Sequence, residues 1–137
     1  MKPNIKVLQH LGFPFSLFLL SGCASGPTQE QLLSADYGRD MTAEECISIA
    51  EQVIANSLKD PSSAQYRHAP CSKGNWSSVP ILGMSVAFGW MQLGEVNGKN
   101  SYGGYVGFRL YQVLIKDGMA VRYCIADEDG ICIPSGY

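Results

Sequence analysis

The stretch YVGFRLYQVLIKDGMAVRYCIA, residues 105–126, decides the fold. Two runs rich in β-branched and aromatic residues, 105–115 and 119–126, flank Lys116-Asp117-Gly118. Asp-Gly suits the two central positions of a tight hairpin turn, because both need a positive φ. A turn at 117–118 sets Lys116 opposite Met119, Leu114 opposite Val121, Gln112 opposite Tyr123 and Leu110 opposite Ile125. With Phe108 these make one apolar face, Gln112 excepted. The other face pairs Ile115 with Ala120, Val113 with Arg122 and Tyr111 with Cys124, and is more mixed. A second turn at 127–130 leads to Ile131-Cys132-Ile133, and a symmetric hairpin there puts Cys124 opposite Cys132.

Working back from the hairpin, MSVAFGWMQLGEV (84–96) also alternates, with Met84, Val86, Phe88, Trp90 and Val96 on one face. Gly89 and Gly94 mark bulges or close contacts in that strand. AQYRHA (64–69) is a shorter strand. Before it, residues 42–59 form the clearest helix. Thr42-Ala43-Glu44-Glu45 is a capping box, and its two glutamates suit the positive end of the helix dipole. Cys46, Ile47, Ile49, Ala50, Val53, Ile54 and Leu58 share one half of the helical wheel, so one wide face must be buried. Asp60-Pro61 stops the helix, since a residue before proline avoids the helical region. The fold class is α+β: one main N-terminal helix packed on a curved antiparallel sheet of four to five strands. The globular domain covers residues 42–137. Residues 23–41, rich in Gly, Pro, Ser and mixed polar residues, read as a tether on which Leu32 and Leu33 are candidates to dock.

The beginning of the chain reads as an export leader. Lys2 and Lys6 precede an uncharged apolar run at 11–20, LGFPFSLFLL. That run is too short to span a bilayer, which needs roughly 20 residues, but suits a cleavable signal. Leu20-Ser21-Gly22-Cys23 follows directly. It resembles the bacterial lipobox, which implies removal of 1–22 and lipid on Cys23. Ala24, not aspartate, comes next, which resembles cargo released to the outer membrane. One acyl chain holds a protein only marginally, whereas two or three together anchor it stably.

Removing Lys2 and Lys6 with the leader leaves eight basic against twelve acidic side chains, a net charge of −4. An acidic domain repels phosphate backbones, so nucleic acid is not an expected partner. Cys46, Cys71, Cys124 and Cys132 remain, an even number that suits two disulfides in an exported domain. Three connectivities are open. The hairpin register favours Cys124–Cys132, leaving Cys46–Cys71 to tie helix to sheet.

Residues 96–108, VNGKNSYGGYVGF, hold four glycines and three aromatics among polar residues. Gly98-Lys99 is followed by Asn100 and a strand, so a phosphate loop is excluded. Only the second half of an RNA-recognition strand motif is matched. Asn97, Gly98, Asn100, Gly103 and Gly104 tolerate positive φ and turn the chain between two strands. Such a turn can present Lys99, Tyr102, Tyr105 and Arg109 to a partner, since aromatics beside cations make usable contact anchors.

LKDPSSAQY (58–66) and VNGKNSYGGYVGF (96–108) together resemble a recurrent family of small exported bacterial proteins, often described only as lipoproteins. Its members carry K-D-P-x-S-A after a helix and V-N-x-K-N-S-Y/F-G-G-Y-x-G-F before a hairpin. The two motifs and their spacing span about residues 42–115. The resemblance implies no catalytic residue and no cofactor. In one respect the chain departs from it: a cysteine often precedes the V-N pair in the family, and here Leu93 and Gly94 stand there.

Catalytic sets are sparse. His68 is the single histidine after the leader, which argues against a His-dependent triad or a multi-His metal site. Ser62 and Ser63 have no neighbouring base in sequence and read as a connector. Asp127-Glu128-Asp129 lacks the spacing of a calcium loop. The expectation is a non-enzymatic lipoprotein of the envelope, held by lipid on Cys23. Its partner would be another envelope protein or the cell wall, and it needs no cofactor or metal. The alternative is an inhibitor of a secreted enzyme such as lysozyme.

Overall fold

The computed structural model describes residues 26–78 and 85–132. The leader, Cys23, Met84 and Ile133 lie outside them. Two helices, α1 (Gln29–Leu33) and α2 (Ala43–Ala55), precede five strands: β1 (Asp60–His68), β2 (Ser72–Ser78), β3 (Ser85–Lys99), β4 (Arg109–Lys116) and β5 (Met119–Ile125). All pairings are antiparallel. The order is β1-β3-β4-β5, with β2 joining the other half of β3 on the same side as β1. The class is therefore α+β, one principal helix on a curled sheet. That helix is the second of two rather than an N-terminal one.

The capping box of α2 forms as its sequence requires. Glu45 N donates to Thr42 Oγ1 at 3.2 Å, and Thr42 N donates to the Glu45 carboxylate at 3.0 Å. A helix of 13 residues is marginal alone, so packing must hold it. Cys46, Ala50 and Ile54 are fully buried against Val96, Tyr111, Val113 and Ile115. Each large apolar side chain so buried contributes about 1.5–3 kcal/mol. The helix ends at Ala55, three residues short of Leu58, the last residue of its apolar stripe. Ser57 N and Leu58 N bond back to Ile54 O and Ala55 O in a tightened turn, because Asp60 is already paired with Lys99 in the sheet.

The 117–118 turn is as expected, with Asp117 at φ 53° and Gly118 at φ 80°. Lys116 faces Met119 and Ile115 faces Ala120, but a bulge then shifts the ladder by one. Leu114 faces Arg122, Gln112 faces Cys124 and Tyr111 faces Ile125. The extra residue lies on β5, and the symmetric register fails beyond it. The faces are also reversed from expectation. Tyr111, Val113 and Ile115 meet the helix, while Leu114 joins Trp76 and Cys124 on the opposite side and Leu110 is exposed.

β2 was not legible, since Trp76 is its one large apolar residue. Trp76 packs on Leu114, and Arg122 Nη1 donates to Trp76 O at 3.4 Å, so the sheet curls until β2 approaches β5. Among the described residues, Ile131 and Cys132 form no strand, only the bridge Ala126↔Cys132. Cys124 thus lies diagonal to Cys132 rather than opposite it, with 5.5 Å between Cα atoms, and the two are bonded. Cys46 and Cys71 form the other disulfide, at a Cα separation of 6.3 Å.

Leu32 and Leu33 do not dock; Leu33 is 81 % exposed. Docking starts a few residues later. Tyr37 meets Phe88 edge to face, Arg39 N donates to Asp117 Oδ1 at 2.9 Å, and Trp90 Nε1 donates to Arg39 O at 3.1 Å. Lys116 pairs with Asp36 at 2.9 Å, and Met41 is buried. Residues 36–41 are a strap across the hairpin end of the sheet. In β3, Gly89 and Gly94 are sites of close approach, as expected. A Cβ on Gly94 would collide with Arg67 O and the Tyr111 ring.

Candidate functional site

Because α2 stops at Ala55, it covers the sheet only part-way. At the far end from the strap, the finish of β3, the start of β4 and the finish of β5 stay open on the helix side. They enclose a groove of about 430 Å³. Val96 and Ile125 line it, with Leu58 and Val106 also bordering it. Lys59, Lys99 and Arg109 are the cations of its lining, and Asp127 is the carboxylate.

Residues 96–108 arch over this end, and side chains brace them from within. Asn97, 8 % exposed, accepts from Gly107 N at 3.0 Å. Asn100 Oδ1 accepts from Tyr102 N and Gly104 N, both at 3.0 Å. Lys99 and Tyr105 form an isolated bridge. Positive φ is confined to Gly103 and Gly107. Asn97 and Gly98 lie within β3, so the asparagines serve by accepting hydrogen bonds, not by a left-handed backbone.

The two motifs that carry the family resemblance meet here. Lys99 N donates to Ser63 Oγ at 3.1 Å, Ser63 Oγ donates to Asp60 O at 2.9 Å, and Tyr105 OH donates to Ser63 O at 3.2 Å. The Ser62 hydroxyl, donating to Asp60 at 2.7 Å, holds that carboxyl below its ordinary range, and Lys99 adds to the effect. Ser62 and Ser63 therefore act as connectors, as expected.

Of the four residues proposed to meet a partner, three sit together. Lys99 lies 5.3 Å from the Tyr105 ring centroid, and Arg109 lines the same groove, paired with exposed Glu128 at 3.3 Å. Tyr102 stands apart at the loop tip, 97 % exposed. The groove itself was missed in sequence. Leu58, Val106 and Ile125 come from three distant elements, and only the early end of α2 brings them to one opening.

His68 belongs to a second cluster, at the edge of the helix–sheet interface. Its Nε2 lies 3.0 Å from Glu51 Oε1 and its Nδ1 lies 2.7 Å from Tyr111 OH. With Nε2–H donated to Glu51, Nδ1 accepts the Tyr111 hydroxyl proton. Burial pushes the Tyr111 phenol up to about 12. The phenol is 1 % exposed and lies beneath Gly94, so it offers no surface to a substrate. Next to it Gln92 is fully buried, its Nε2 donating to Ala69 O and Leu93 O. This cluster joins helix, edge strand and central strands.

Among the described residues no group of three or more His, Cys, Asp or Glu could hold a metal, and no helix is long and apolar enough to cross a membrane. No protein-family model, no curated protein sequence and no solved structure matches the chain.

Proposed function

We propose that the protein is a lipid-anchored component of the bacterial envelope, with a non-enzymatic binding role exerted through the 96–108 loop. Cys23 carries the lipid, because Leu20-Ser21-Gly22-Cys23 follows an apolar run of signal-peptide length. The binding role rests on one observation. Tyr102 is almost fully exposed on a loop whose flanks are fixed by Asn97, Asn100 and Ser63. A large aromatic held out on a rigid support loses little entropy on docking, which is how interface anchors are made. The ligand of this loop is another envelope protein or the cell wall.

Two experiments test the two halves. Radiolabelled palmitate should enter the wild-type protein and not the Cys23→Ala variant, which should also leave the membrane fraction. Equal labelling of both would refute the anchor. Affinity capture from crosslinked cells should recover one reproducible partner, and lose it with Tyr102→Ala.

The rigid, protruding loop also favours a second reading, an inhibitor that inserts Tyr102 into the cleft of a secreted enzyme such as lysozyme. Inhibition of purified lysozyme that disappears with Tyr102→Ala supports it; absence of inhibition eliminates it.

A further inference from the structure

The groove under the loop has a chemistry of its own. Its size falls within the range of small-molecule sites, roughly 300–1,000 Å³. Its lining is mixed, with Leu58, Val96, Val106 and Ile125 supplying apolar side chains among polar ones. Three cations, Lys59, Lys99 and Arg109, gather along it in a chain that is acidic overall. The carboxylate in its lining, Asp127, is engaged internally, with Oδ1 accepting from Asp129 N at 3.0 Å and Ile131 N at 2.8 Å. Glu128, 89 % exposed, pairs with Arg109 through a surface contact that a ligand can replace at small cost.

Apolar side chains beside a gathering of cations match a molecule that has an apolar body and one anionic end. We propose that the groove binds an amphiphilic anion, an acyl chain headed by a carboxylate or a phosphate. The acyl chain lies along Leu58, Val106 and Ile125, and the head group meets Lys59, Lys99 and Arg109. This inference stands whether or not Cys23 is lipidated and whether or not Tyr102 meets a protein.

The test uses the full-length protein in phosphatidylcholine nanodiscs, photolysed with diazirine-bearing laurate, with a diazirine-bearing lysophosphatidylglycerol, or with the neutral lauryl alcohol analogue. Attachment sites are mapped by peptide mass. Both anionic probes, or one of them, should label the peptides containing Leu58 and Val106 about tenfold more than the alcohol, as a charge-assisted contact to the head group requires. Which anionic probe labels identifies the source of the ligand. The pair Lys59→Glu with Arg109→Glu should lower labelling about tenfold, Val106→Trp should abolish it by filling the groove, and Met119→Ala at the opposite end should leave it unchanged. Unchanged thermal midpoints show that the variants fold, and the charge-reversal pair remains decisive if Val106→Trp does not. Labelling that ignores head-group charge, that maps elsewhere, or that survives both variants overturns the proposal. So does displacement of laurate by a peptide with a free apolar C-terminus at lower concentration, which assigns the groove to a protein.

Discussion

The two ends of β4 make a controlled comparison. At one end the chain turns through Asp117-Gly118; at the other it arrives from residues 96–108. Both turns depend on a polar side chain accepting backbone N–H groups and on glycine at positive φ. Only the first is covered. The Asp117 carboxylate accepts from Arg39 N of the strap, and Trp90 Nε1 donates to the Arg39 carbonyl. Asn100 Oδ1 accepts from N–H groups of its own loop, so the loop is held by internal bonds and by Ser63, and its outer surface stays free. Similar turn chemistry closes one end and keeps the other rigid but open. The difference lies in what the neighbouring chain supplies, a strap in one case and a truncated helix in the other.

The largest effect should come from unlocking the closed side. Replacing Cys46 and Cys71 by serine opens a link across 25 residues, worth about 3 kcal/mol in the chain-entropy model. A denaturant titration should read that loss, and an unchanged midpoint would show that the disulfide does not constrain the fold. Next come two glycines on one strand. Gly94→Ala puts a Cβ into Arg67 O and Tyr111, for about 2–3 kcal/mol of destabilisation. Gly98→Ala meets Leu58 at 3.5 Å, an ordinary contact, and should alter stability by less than about 0.5 kcal/mol. Equal losses would erase the distinction between the packed middle of the strand and its open end. Trp90→Phe removes the bond to Arg39 O and should cost about 1 kcal/mol, with faster hydrogen exchange confined to the strap.

The Tyr111 phenol adds a pH dependence of definite sign. Burial raises its pKa from 10.0 to about 12, so between those values the unfolded chain binds fewer protons than the folded one. Its contribution is complete below pH 10 and is lost as pH rises toward 12. Tyr111→Phe should flatten that part of the stability profile, and a profile unchanged by the substitution would place the phenol elsewhere. The smallest effect belongs to the open end, where Tyr102→Ala should leave the thermal midpoint unchanged because its ring touches solvent.

Legibility in the sequence followed the same division. The capping box, the helical stripe, the Asp117-Gly118 turn and the close-approach glycines are local signals, and each appears where the residues placed it. The hairpin register failed because one bulge on β5 has no sequence mark and shifts every later pair. β2 escaped notice because Trp76 alone carries its burial, against a partner cluster that forms only when the sheet curls. Three of the four partner residues were placed together by proximity in sequence. The groove beside them depends on where α2 stops, and the apolar pattern runs past that point to Leu58.

The most direct measurement compares the two ends in living cells. A photo-crosslinking amino acid is placed at position 102 on the open loop, or at position 119, 66 % exposed beside the covered turn. The expected result is one discrete adduct from position 102 and none from position 119. No adduct at 102, or the same adducts from both positions, would contradict a binding face at the open end.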